Sequence, residues 1–216
     1  MNTTNELNLL IQSPPKMKKS SFLFTALLPI VLLLSCSAPK KESAEEQMHL
    51  MSAGDEVLEE PTAPQYEASG IFRQQLNGIF SAYVALKESL VASDLKSVQA
   101  AGKKLSETLN SADKTQLSGA ALLDWTNFSD SMAGELKKLD TVSELEAARL
   151  LFPGLTEAMY KIIKAYGLDG VTAYYAYCPM AFNNKGGYWL SDSRKIRNPY
   201  FGDAMLECGG LREQLR

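Results

Sequence analysis

The chain has 216 residues, 45% of them apolar and 22% charged, with a formal net charge of −3. That length holds a full hydrophobic core with chain to spare for a tether. The mild negative charge argues against nucleic acid as a partner.

Residues 1–16 are polar, carry Pro14-Pro15, and read as an over-extended start. Met17-Lys18-Lys19 is a short basic segment, and Phe22 to Leu34 is an almost purely apolar run. The run is too short to span a bilayer but suits the core of a signal peptide, placed here at 17–35. It closes on Leu33-Leu34-Ser35-Cys36, which resembles the bacterial lipobox, where cleavage precedes a cysteine that is then lipidated. The expected mature protein starts at Cys36 and is held to a membrane by that lipid. Ser37 after the cysteine fits delivery to the outer membrane, facing the periplasm. Lys40-Lys41-Glu42 leaves surface exposure open. No later run is long enough to span a membrane.

Residues 36–66 form the expected tether, rich in Glu, Ser, Ala, Pro and Lys and without hydrophobic period. Within it, Met48, His49 and Met51 make a weak secondary metal contact on a mobile arm, or chance scatter in a polar segment. His49 is the single histidine. From 67 to 216 we expect one folded domain.

Helical periodicity begins at Ser69. Phe72, Leu76, Ile79, Tyr83, Leu86 and Leu90 recur at steps of three and four, one apolar face. Ser93-Asp94 interrupts and caps a second helix carrying Leu95, Val98, Gly102, Leu105 and Leu109. A third shows Leu122, Trp125, Phe128, Met132, Leu136 and Leu139. Thr141 with Glu144 reads as a capping box for a fourth, whose face includes Leu145, Ala148, Phe152, Leu155, Met159, Ile162 and Tyr166. Pro153-Gly154 should kink or break it, and Gly167 and Gly170 should close it. The predicted class is mainly α: an antiparallel four-helix bundle with a small C-terminal β-hairpin and loop lobe at 171–211.

In that lobe, Val171 to Tyr177 is β-branched and aromatic, a strand leading to Cys178. Asn183 to Gly187 is a turn, Tyr188-Trp189-Leu190 a return strand, and Ala204 to Cys208 a helical turn. Cys178-Pro179-Met180 is answered by Met205-Leu206-Glu207-Cys208. On a strand, positions two apart share a face, and on a helical turn positions three apart do. Cys178, Met180, Met205 and Cys208 thus offer two thiolates and two thioethers, a set suited to Cu(I) rather than Zn. Equally, with Cys36 lipidated, Cys178 and Cys208 are the two thiols left in an oxidising space, and they fit a structural disulfide. Closing a loop of about 30 residues would contribute roughly 3–4 kcal/mol. No enzyme is expected. The histidine lies in the tether, Glu144 and Glu146 sit on a solvated face, and Gly186-Gly187 lacks a strand–loop–helix setting.

Tyr177-Cys178-Pro179-Met180-Ala181, Trp189-Leu190-Ser191, Ile196 to Tyr200 and Met205 to Gly209 resemble the domain-of-unknown-function family 3347 (DUF3347). The resemblance is loose over the helices and close over 171–211. It implies a helical periplasmic domain of lipoproteins, also appended to adaptor proteins of copper and heavy-metal efflux pumps. On that ground copper is the expected metal, and efflux adaptor or pump components are the expected partners. Many members carry richer His or Met segments near the anchor, where this chain has Met48, His49 and Met51.

Overall fold

The computed structural model describes residues 58–216, which lie in one compact unit of the chain, Ala53–Arg216. The expectations for residues 1–57, including lipidation at Cys36 and the Met48, His49, Met51 contact, fall outside the described residues.

Four long helices come first: α1 (Gly70–Val91), α2 (Leu95–Asn110), α3 (Gly119–Leu139) and α4 (Leu145–Tyr166). The Ser69 hydroxyl caps α1 by accepting from the Phe72 N–H at 3.2 Å. Asp94 caps α2, its Oδ1 accepting from the N–H groups of Lys96 and Ser97. Each cap satisfies donors that the first helical turn leaves without partners. The predicted face of α1 is the buried one, from Phe72 through Leu90. Full burial of each such side chain contributes about 1.5–3 kcal/mol. On α3 the agreement is looser: Trp125, Met132, Leu136 and Leu139 are buried, while Leu122 and Phe128 are only partly so.

Helix α1 packs chiefly on α2, and α3 on α4. Gly102 allows α2 a close approach, since a Cβ there would lie 2.9 Å from a Leu139 methyl. Phe72, Trp125 and Tyr166 meet edge to face at one end of the core, and Tyr83 stacks on Phe152 further along.

Two expectations about α4 are corrected. Glu144 is its N-cap residue and makes no side-chain cap bond, while the Thr141 hydroxyl donates back to the Lys138 carbonyl at 2.8 Å. Thr141 therefore finishes α3 and does not start α4. Nor does the helix break at Pro153-Gly154, for it runs unbroken from Leu145 to Tyr166. Phe152, Leu155 and Met159 are fully buried on its core side, and that burial outweighs the one hydrogen bond a proline removes. Gly167 does close it, at φ 74°, its N–H donating to the Ile163 carbonyl.

The C-terminal part is a three-stranded antiparallel sheet of order β2-β1-β3: β1 (Ala173–Cys178), β2 (Gly187–Ser191) and β3 (Gly210–Leu215). The predicted hairpin is β1 with β2. The third strand extends it, because Gly210 continues into a ladder on the other edge of β1 instead of ending the lobe. A single 3-10 turn, Gly202–Met205, replaces the helical turn expected at 204–208. Residues 59–66, read as the end of the tether, are held to the fold. The N–H groups of Gln65 and Tyr66 donate to the carbonyls of Lys164 and Ala165, and the Gln214 side chain donates to the Glu59 carbonyl. No described helix is long and apolar enough to cross a membrane.

Candidate functional site

Cys178 ends β1, the central strand, and is fully buried opposite Gly187 of β2. Cys208 precedes β3 on the other flank and is half-buried. Antiparallel pairing of β1 with β3 places Tyr177 against Gly210, which draws the two cysteines together at the end of the ladder. Their sulfurs lie 2.8 Å apart, and both are free thiols.

The backbone links both methionines to Cys208. The Cys208 N–H donates to the Met205 carbonyl at 3.1 Å, and the Cys208 sulfur accepts from the Met180 N–H. Burial pushes the Cys208 thiol up to about 11, helped by its hydrogen bond to Cys178 and the charge there. The Met180 N–H opposes this, because a donor favours the thiolate.

The segment carrying Cys208 is pinned by Asn198, which is fully buried. Its side-chain N–H donates to the Cys208 carbonyl at 2.8 Å, its Oδ1 accepts from the Tyr200 N–H at 2.8 Å, and its own N–H donates to the Leu206 carbonyl. Tyr200 in turn donates its hydroxyl to the Tyr188 carbonyl on β2. Gly209, at φ 135°, lets the chain pass Trp189, where a Cβ would lie 2.7 Å from the indole. Trp189 is itself fully buried and walls this end of the sheet.

Outside the thiol pair, Met180 and Met205 are 45% and 40% exposed. Both line one cavity of about 430 Å³ together with Leu150, Phe182, Phe201 and Tyr200. Asn183 and Asn184 border it, as do Glu146 and Arg149. Arg149 bridges three segments: it donates to Glu146 at 2.7 Å, to the Pro199 carbonyl at 3.1 Å, to the Ser93 hydroxyl at 3.0 Å and to the Leu90 carbonyl. Phe182, Asn183 and Asn184 are left-handed, at φ 53°, 58° and 64°. Asparagine tolerates this region and phenylalanine does not, so Phe182 carries backbone strain. The strain is offset by its ring, which meets Tyr200 edge to face at 4.9 Å and separates the main cavity from a smaller one beside Tyr175 and Tyr188.

The four sulfur residues predicted from sequence are therefore neighbours, but they divide into a thiol pair in contact, one buried and one half-buried, and two more exposed methionines. Among the described residues, no group of three or more His, Cys, Asp or Glu is placed to hold a metal ion. Glu144 and Glu146 are exposed, as expected. Sequence reasoning missed Asn198, Tyr200, Arg149 and the left-handed turn. For Asn198 the available signal was its place before Pro199.

Residues 79–170 match the family model described as a protein of unknown function, DUF3347. The match supports the DUF3347 domain family for this stretch, from within α1 to just beyond α4. It ends before β1, so the sulfur residues and the close resemblance read at 171–211 lie outside the matched span. No curated protein and no solved structure matches the chain.

Proposed function

We propose that the lobe after the DUF3347 match binds a soft metal ion, Cu(I) foremost, through Cys178, Met180, Met205 and Cys208. The protein acts as a non-enzymatic buffer or carrier, and the four helices form an antiparallel bundle that supports the lobe. One observation carries this reading: Cys208 touches all three other sulfur residues, Cys178 through its sulfur and the two methionines through backbone hydrogen bonds. Two thiols and two thioethers fit a soft ion, and the absence of a three-fold His, Cys, Asp or Glu group among the described residues disfavours a Zn-type or oxygen-ligated site. The lipobox-like ending at Cys36 supports an outer-membrane anchor facing the periplasm, where efflux components would be the partners.

The contact between the sulfurs favours a second reading, a non-enzymatic interaction domain whose Cys178 and Cys208 are joined by a structural disulfide. Intact mass of exported protein without reductant, followed by Cu(I) competition on wild type and C178S, separates the two. The metal reading expects Cu(I) binding by reduced protein that weakens at least about tenfold in C178S. A permanently oxidised protein indifferent to Cu(I) sinks it and leaves the disulfide. Loss of binding on deleting residues 37–57 alone would move the site to Met48, His49 and Met51.

A further inference from the structure

We infer that Met180 and Met205 form a capture site for a soft monovalent cation that works without the thiols. This rests on the soft-metal reading and divides its site into an exposed entrance and a more buried interior. Met180 and Met205 both line one open cavity, whereas Cys178 is fully buried and the half-buried Cys208 touches it. A thiol must lose its proton to become a strong ligand, and a thioether has none to lose. The thiol pair must also separate from its 2.8 Å contact before a metal can enter between the sulfurs. The methionines need neither change.

The rest of the cavity suits such an ion. Phe182, Phe201 and Tyr200 give it aromatic walls, and ring faces attract a weakly hydrated cation. Methionine sulfur also packs favourably among rings. The positive charge lining the cavity, Arg149, is paired with Glu146 and also donates to the Pro199 and Leu90 carbonyls and the Ser93 hydroxyl. The cavity therefore offers soft sulfur without a net opposing charge. Because nearly half of each methionine is exposed, exchanging either for leucine leaves the core intact.

The test is a titration of Ag(I), an air-stable soft monovalent probe, into full-length protein with labelled methionine methyls in chloride-free buffer. Wild type, C178A/C208A and C178A/C208A with M180L and M205L added are compared at neutral pH and at about pH 5.5, well below the ordinary thiol range. The Met180 and Met205 signals should move in wild type and in C178A/C208A at both pH values. Their midpoints should agree within about threefold, as independent sites require. Adding M180L and M205L to C178A/C208A, where the strong thiol ligands no longer mask the thioethers, should weaken Ag(I) uptake at least about tenfold. Met132 and Met159, fully buried in the helices, should stay still and report an intact fold. If C178A/C208A does not fold, C208S, altered only at the half-buried thiol, takes its place. Methyl shifts that occur in wild type and vanish without the thiols overturn this inference and leave the four-sulfur reading standing. Ag(I) that moves neither methionine methyls nor thiols, or only Met48 and Met51, overturns both.

Discussion

Replacing Asn198 by alanine tests whether one buried amide holds the sulfur site together. The substitution removes the donor to the Cys208 carbonyl and the acceptor of the Tyr200 N–H, each bonded at 2.8 Å, at a position with no exposure. Every buried group left without a partner costs about 1–3 kcal/mol, so N198A should lose about 2–5 kcal/mol. That is a large fraction of the about 5–15 kcal/mol that stabilises a typical domain. Urea unfolding should show the midpoint falling by about 1–2 M with the slope unchanged. The Cys208 segment should loosen locally as well, and its alkylation under native conditions should accelerate. N198D sharpens the test. It keeps the acceptor for Tyr200 but at neutral pH has no proton for the Cys208 carbonyl, so it should be at least as unstable as N198A and recover when acid protonates the carboxylate. A loss below about 1 kcal/mol in N198A, with Cys208 alkylation unchanged, would refute the idea that Asn198 positions the site.

Arg149→Ala should destabilise by about 2–4 kcal/mol, because its guanidinium bonds Leu90 of α1, Ser93 just after it, Glu146 of α4 and the Pro199 carbonyl at once. Glu146→Ala, which touches that network from an exposed position, should cost less than about 1 kcal/mol in the same thermal or urea assay. The Cys208 thiol, ordinarily near 9.0 and pushed up to about 11, should alkylate slowly at pH 8 in folded protein, its rate rising toward a midpoint near 11. Between those two values the unfolded thiol has already lost its proton while the folded one keeps it. The folded state therefore binds more protons there, and stability from this group is full below the lower value and is lost as pH rises through the upper one. A stability curve that rises across that window would contradict the burial of this thiol.

Much of the fold was legible because helices and strands print their period on the chain. Asp94 caps where the polar interruption placed it, α1 starts at the Ser69 boundary where the period begins, and its stripe from Phe72 to Leu90 is the buried one. The capping box at Thr141 failed because the same Thr and Glu pattern also occurs where a hydroxyl finishes the preceding helix. Of the kink or break expected at Pro153, the break does not occur, because packing of Phe152, Leu155 and Met159 outweighs a local defect. Lys87, a lysine no sequence pattern marks for burial, is buried: Ser191 of β2 covers it while its ammonium reaches Glu88, which Arg197 also holds. No periodicity announces a residue covered from a hundred positions away.

For the sulfur residues, sequence by itself determined the inventory: two thiols and two thioethers in paired motifs, and an aromatic, glycine-rich segment to surround them. Local spacing carried it no further, because strand and turn periods say which side chains share a face within an element and nothing about which elements meet. Tertiary structure decided the rest. The β1–β3 pairing, with Gly209 slipping past Trp189 and Asn198 clasping the Cys208 carbonyl, puts the thiols in contact, one of them fully buried. The left-handed turn at Phe182 and the 3-10 turn ending at Met205 leave the thioethers on an open cavity wall. Contact and exposure are properties of packed elements, and the split of four sulfurs into two pairs arises there.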